Sequence, residues 1–345
     1  MKQNDHAPRH EVKAHTVAYL VCFLLVLAIP QVVNSAYTLR VINMIMLYSI
    51  LALGLNLVGG YCGQLSLGHA AFYGIGAYTS ALLTMNLGWP FLPALVVSAL
   101  FACLWGLILG VPTLRVSGDY LLIVTIGFAE IVRIVFTNWV SVTRGPMGLP
   151  GIPGVSIMGF TFRTGTHYYY LFLAALIITV LAIHRLVNSK VGRAFIAIRE
   201  DETAASAMGI HTTYYKVIAF ATGALFAGMA GSFLAHYLKF VGPMNFTLDE
   251  SLLMFQMIIL GGLGSISGSI LGAAILVVIP EVFRGIYEYR MLINGLIMVA
   301  LMIWRPQGLL GTMGGARKAG SAGKALQKTV ASLFSGGAAS GQVKR

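Results

Sequence analysis

Glu130 and Arg133 are the only charged side chains in an apolar run from 119 to 140 once its first residue, Asp119, is set aside as a helix cap. Three residues apart, they share one face of a helix. Each would cost roughly 2.5–3.5 kcal/mol at the centre of a bilayer, so the pair is expected to face the interior of a bundle and to neutralise itself. That chemistry suits either an internal ion pair or a polar element of a pathway or gate. A second constellation is GGYCGQLSLGHAAFYGIGAY at 59–78, where Gly63 and Gly68 flank Gln64, Ser66 and His69. Glycines let backbones approach closely, and a glycine-broken helix frees amide groups to line a substrate path. The same pattern also fits small-residue helix packing, and His69 alone also reads as an interhelical hydrogen-bonding group. A third, GGLGSISGSILGA at 261–273, echoes the second with Gly264, Ser265 and Ser267. Paired breaks in corresponding places point to a central site built from two related halves.

Catalytic chemistry has little to stand on. HExxH, GxSxG and GxxxxGK[ST] patterns are absent, and Gly323-Lys324, the one Gly-Lys pair, is followed by Ala. Cys22, Cys62 and Cys103 have neither paired spacing nor a nearby His cluster, so they read as packing residues and no metal site is expected. A chain of this kind has no catalytic residues and no cofactor of its own. If it drives transport, the energy comes from an ion gradient or from another subunit.

The elements that hold these residues are membrane spans. The 345-residue chain is 57% hydrophobic and only 10% charged, with 40 glycines, and its mean hydropathy is +0.82. Runs of roughly 18 to 25 uncharged residues match the length a helix needs to cross about 30 Å of hydrocarbon. Stretches such as Leu20 to Ile29 do not alternate, which excludes barrel strands. The expected segments are 16–33, 39–58, 66–86, 90–113, 119–140, 168–187, 214–238, 249–262, 266–284 and 290–305. The fold class is therefore all-α, a polytopic membrane helix bundle of about ten transmembrane segments with Gly-broken helices. The break after the eighth segment is either a turn between spans or an interruption within one.

The net charge of +12 lies in tails and short connections, so it orients the chain in a membrane and does not suggest nucleic acid. Most basic residues fall inside if both termini are cytoplasmic. Asn34-Ser35-Ala36 follows the first apolar run as a signal-peptide cleavage site would, yet an uncleaved first span suits the charge pattern better. The expected organisation is a cytoplasmic segment 1–15, a transmembrane domain 16–311 and a disordered basic cytoplasmic tail 312–345 near anionic lipid. The Gly/Pro-rich connection 141–166 lies outside, long enough to cover the outer mouth or meet a partner. In the seventh segment Gly223, Ala227 and Gly231 recur every four residues, as do Ala224 and Gly228, forming a close-packing face.

The connection 190–210, KVGRAFIAIREDETAASAMGI, carries an apolar stripe at Val191, Ala194, Phe195 and Ile198, continued by Ala205 and Met208. That spacing predicts an amphipathic cytoplasmic helix or helix pair. Arg193, Arg199, Glu200 and Glu202 occupy its other face, and the acids disfavour lying on an anionic leaflet. Ala204, Ala205 and Gly209 leave a smooth surface on which a protein partner would dock.

From about residue 40 to 311 the chain resembles the LivM-type permease subunits of branched-chain amino-acid ABC transporters. The stretches that carry the resemblance are LNLVGGYCGQLSLGHAAFYGIGAY, GDYLLIVTIGFAEIVRIV, TRGPMGLPGIP, GRAFIAIREDETAASAMGI, LGGLGSISGSILGA and RPQGLLG. The resemblance implies that 190–210 is the coupling helix that docks into an ATPase subunit, with Ala204, Ala205 and Gly209 matching an EAA-type loop. Thr203 stands where that motif has Glu, and Glu202 lies one residue earlier. It further implies ABC ATPase subunits that bind the ATP, a second related permease, a periplasmic binding protein and a bacterial inner membrane. Branched-chain amino acids are the family's usual substrates; urea and short amides are carried by related permeases. The rival class, an ion-coupled secondary transporter, needs a titratable intramembrane carboxylate, and Glu130 already has Arg133 beside it.

Overall fold

The computed structural model describes residues 35–113, 118–157 and 159–282, with isolated positions at 27, 29–31, 295, 296, 299, 303, 305 and 308–310. The expected segments 16–33 and 290–305 and the tail 312–345 fall largely or wholly outside the described residues.

The helices are α1 (Ala36–Asn56), α2 (His69–Asn86), α3 (Phe91–Thr113), α4 (Asp119–Asn138), the short α5 (Val140–Thr143), α6 (Gly165–Val187), α7 (Lys190–Glu200), α8 (Glu202–Ala207), α9 (Thr212–Leu238), α10 (Leu248–Gly261) and α11 (Ile266–Val282). Among the described residues, five stretches are long and apolar enough to cross a membrane: Ala36–Tyr61, Phe91–Val111, Tyr120–Asn138, Gly165–Val187 and Thr212–Leu238. The segment expected at 66–86 starts only at His69, because residues 62–68 run as coil. The segment expected at 249–262 is the 14-residue α10, roughly 21 Å at 1.5 Å per residue and thus shorter than a bilayer core. The Gly-Gly-Leu-Gly break after it is a turn, since Gly261 and Gly268 pack backbone to backbone across it.

Helices α1 and α9 form the centre. α9 packs on α1, α2 and α3, while α1 also packs on α6, α10 and α11. The small residues of α9 make this possible. A Cβ on Gly223 would sit 3.0 Å from the Gly54 carbonyl, and one on Gly231 would sit 2.1 Å from the Tyr73 carbonyl. One on Gly228 would meet the Ala102 methyl at 2.4 Å. The four-residue spacing is thus a close-packing surface shared among three neighbours. Ser80 Oγ adds polar links across it, 2.7 Å from Ser232 Oγ and 2.9 Å from His236 Nε2.

Residues 188–211 cap one end of the bundle, hereafter the loop end. At the far end the Gly/Pro-rich connection folds into two small antiparallel ribbons. β1 (Leu149–Pro150) pairs with β4 (Phe240–Val241), and β2 (Ser156–Ile157) pairs with β3 (Phe160–Thr161). His236 Nδ1 lies 2.7 Å from the Pro153 carbonyl and ties this cover to α9.

Candidate functional site

The loop-end helices begin with a sharp turn. Ser189 Oγ accepts the Val191 N–H at 3.1 Å, and Gly192 passes so close to Val187 that a Cβ would lie 2.0 Å from its carbonyl oxygen. α7 then buries Ala194, Phe195 and Ile198, the apolar stripe expected from the spacing. Asp201 is extended and its Oδ1 accepts the Ala204 N–H at 2.9 Å, which ends α7 and caps α8. The helix pair is therefore real, and the cap resets the helical phase. Ala205 is buried, whereas Met208, placed by the spacing on the same stripe, is 84% exposed. Ala204 and Gly209 are exposed. Gly209 has φ +82°, and nothing lies within 4 Å of where its Cβ would be.

Each acid of the charged run has a local task. Asp201 is the cap; Glu200 accepts from Arg199 Nη2 at 3.1 Å; and Glu202 pairs with Lys216, which is buried at the base of α9. Arg193 remains exposed.

Arg199 points inward. Its Nη1 donates to the Gly60 carbonyl at 2.7 Å, at the end of the π turn Leu57–Tyr61 that closes α1. A Cβ on Gly63 would lie 2.8 Å from Arg199 Cγ, and one on Gly264 would lie 2.8 Å from Nη1. Only glycine fits at these two positions, both of which also have positive φ, +72° and +76°. The two glycine-rich breaks touch one another as well. Asn56, fully buried, accepts the Gly264 N–H on Oδ1 at 2.9 Å and donates Nδ2 to the Ser265 carbonyl at 3.1 Å. Leu309 and Leu310, of the RPQGLLG stretch, complete the junction. The N–H groups of Leu309 and Leu310 donate to the carbonyls of Leu260 and Gly261, each at 2.9 Å, satisfying two of the orphan carbonyls at the end of α10.

The first break continues as coil that is buried except at Gly63 and, in part, Leu65. The Leu67 N–H donates to Thr125 Oγ1 at 3.0 Å, the Gly68 N–H to Ser66 Oγ at 3.2 Å and the Ala70 N–H to Ser251 Oγ at 3.0 Å. Gln64, Ser66 and His69 are buried, and His69 Nε2 has no hydrogen-bond partner among the described residues. Cys62, at the start of this coil, is fully buried. That burial pushes its thiol up to about 12. Ser265 caps α11 by accepting the Gly268 N–H at 3.1 Å, and Ser267 beside it is exposed.

Glu130 and Arg133 are paired, Arg133 Nε lying 3.1 and 3.0 Å from the two carboxylate oxygens. They do not reach the junction; they stand roughly 7 to 12 Å further along α4 than Thr125. Their side chains are 44% and 26% exposed, on the flank of α4 and not in its buried face. Two further polar residues were not singled out by the spacing, and only the first lies in the junction. Asn56, a lone amide in an apolar run just before the first break, was legible in principle. Glu250 sits in the first turn of α10 and accepts from Tyr48 Oη at 3.0 Å; only its place at the edge of an apolar run marked it. Among the described residues no three His, Cys, Asp or Glu side chains are grouped to hold a metal. One side of the helix pair is exposed, and the other is tied to two backbone breaks.

Residues 37–303 match the family model described as branched-chain amino acid transport system / permease component. The chain belongs to this permease family. It is 41% identical over 315 residues to the high-affinity branched-chain amino acid transport system permease protein LivM of Salmonella typhimurium, covering 85% of this chain and 74% of that protein. It is 42% identical over 312 residues to LivM of Escherichia coli, covering 83% and 73%. The permease protein LivH of Escherichia coli is 28% identical over 286 residues, or 76% of this chain and 91% of LivH. No solved structure matches the chain. The junction is thus built from stretches within a transport permease, and the GxxxxGK[ST] motif is absent from the sequence.

Proposed function

We propose that this protein is the membrane-spanning permease subunit of an ATP-binding-cassette importer that carries branched-chain or closely related amino acids across the bacterial inner membrane. The observation that carries this reading is the match over most of the chain to the LivM permeases. Separate ATPase subunits bind and hydrolyse ATP and dock on the exposed side of α7 and α8, where Glu200, Ala204 and Gly209 lie, while Arg199, Glu202 and Ala205 hold the pair to the bundle. A second permease related to LivH completes the membrane part, and a periplasmic binding protein delivers the substrate. About ten spans with both termini cytoplasmic fit the charge distribution, which puts the loop end inside. The pathway candidates are Gly63, Gln64, Ser66, Gly68 and His69 of the first break, Gly264, Ser265 and Ser267 of the second, and the Glu130–Arg133 flank. A half-exposed ion pair within a span belongs against water or protein, which supports a path or a partner beside α4. Pull-down of the tagged chain from its native membrane tests the assembly. ATPase subunits and a second permease are expected; a homogeneous chain with no companion argues against it.

A further inference from the structure

Docking on α7 and α8 explains how movement reaches the loop end, but not how it enters the bundle. Arg199 occupies that gap. It stands in the last turn of α7, two residues before the Asp201 cap. Its guanidinium is divided: Nη2 is held by Glu200, and Nη1 donates to the Gly60 carbonyl. A carbonyl at a helix end carries partial negative charge, which a cation satisfies well. The same Nη1 lies against Gly264, while the aliphatic part of the side chain lies against one side of the exposed Gly63. From the other side, Asn56 reads the Gly264 N–H and the Ser265 carbonyl with both atoms of its amide. Gly60 and Gly264 are in such close contact that a Cβ on Gly60 would lie 2.4 Å from the Gly264 nitrogen. Beside the apolar packing of Gly59 on Ile258, these polar contacts join the two breaks.

We propose that Arg199 and Asn56 form a clasp that holds the two glycine breaks together, and that displacement of α7 by its docked partner withdraws Arg199 and lets the breaks part. This rests on the reading that α7 and α8 receive the ATPase. Arg199 is then a positioning residue: it touches no substrate, and it converts movement of a surface helix into opening of the bundle.

Native Cys62 reports the clasp without any need for ATP. It lies between the Gly60 and Gly63 contacts of Arg199 and is fully buried. In the purified complex, with Cys22 and Cys103 replaced by Ser, a membrane-impermeant maleimide should label Cys62 slowly. Arg199→Gln should raise the labelling rate by about tenfold or more, with the ATPase still bound and the thermal midpoint little changed; tenfold corresponds to about 1.4 kcal/mol of opening equilibrium. Arg199→Lys, which keeps a cationic donor for the Gly60 carbonyl, should label slowly. Arg193→Gln, which removes an exposed charge from the same helix, should also label slowly. Asn56→Ala combined with Arg199→Gln should be non-additive, since both release one contact. ATP-driven uptake by the Arg199→Gln complex should fall relative to its ATP hydrolysis. Slow labelling in Arg199→Gln overturns the clasp, and so does equal labelling in Arg193→Gln. Absence of ATP-driven uptake by the unmodified complex would instead overturn the importer reading, and the labelling order would still stand or fall by itself.

Discussion

Gly231→Ala tests the packing that holds the bundle together, and its cost follows from the geometry. The added methyl carbon would lie 2.1 Å from the Tyr73 carbonyl oxygen and 2.7 Å from the Ala77 nitrogen, both backbone atoms of α2. Ordinary contact begins near 3.4 Å, so α2 and α9 must part by more than an ångström. No flexible side chain can yield. Overpacking costs about 1–3 kcal/mol, and backbone against backbone belongs at the top of that range. The same displacement stretches the Ser80 links to Ser232 and His236. Alanine is the better helix former by about 1 kcal/mol, which offsets part of the loss and leaves a net destabilisation of about 2 kcal/mol. Gly127→Ala in α4 is the matched control, because nothing lies within 4 Å of its Cβ position. It should be neutral or gain up to about 1 kcal/mol. Two chemically identical changes should therefore differ by about 2–3 kcal/mol. Thermal unfolding in detergent, followed by labelling of buried Cys62 with a thiol-reactive fluorophore, measures the difference. Equal midpoints for the two variants would refute the close packing of α2 on α9.

Gly209→Asp should abolish ATP-driven uptake and ATPase co-purification with the fold intact, since its surroundings in this chain are open. Gly209→Asn tolerates positive φ and separates backbone strain from charge; unchanged uptake and co-purification in Gly209→Asp would contradict a docking role. Glu202→Gln should lower the thermal midpoint more than Lys216→Met, because it strands a buried ammonium whereas the methionine fills the same space; the reverse order would remove the pair from the account. Glu130→Gln and Arg133→Gln should each reduce membrane insertion relative to the double variant, which leaves no lone charge in the span; singles that insert as well as the double would show that the pair is not neutralising itself there.

Much of this was written in the sequence. The apolar stripe of α7 and the small-residue face of α9 follow from helical spacing and are found where spacing put them; the 130/133 pair forms as the spacing implied, but on the half-exposed flank of α4 and not facing the interior. The family resemblance was equally legible, from stretches that are specific only in combination. Three things were not. Periodicity assumes a continuous helix, so it carried the stripe through Asp201 to Met208, although a short acid that caps a new helix resets the phase. It also treated the charges at 199–202 as one solvated face. Arg199 turns inward because a helix-end carbonyl and two glycines leave it a place, which is a tertiary fact. Spacing likewise could not show that 59–68, 199, 261–265 and 308–310 meet, because the contacts that join them are long-range and involve backbone atoms.

In the proposed importer, ATP hydrolysed on separate subunits drives this permease. Uptake of radiolabelled leucine, isoleucine and valine into proteoliposomes tests it most directly, comparing the complex with ATPase subunits, second permease and binding protein against this chain alone under a proton or sodium gradient. Uptake is expected only with the complete assembly and ATP. Gradient-driven uptake by the isolated chain, with no ATPase present, would contradict it.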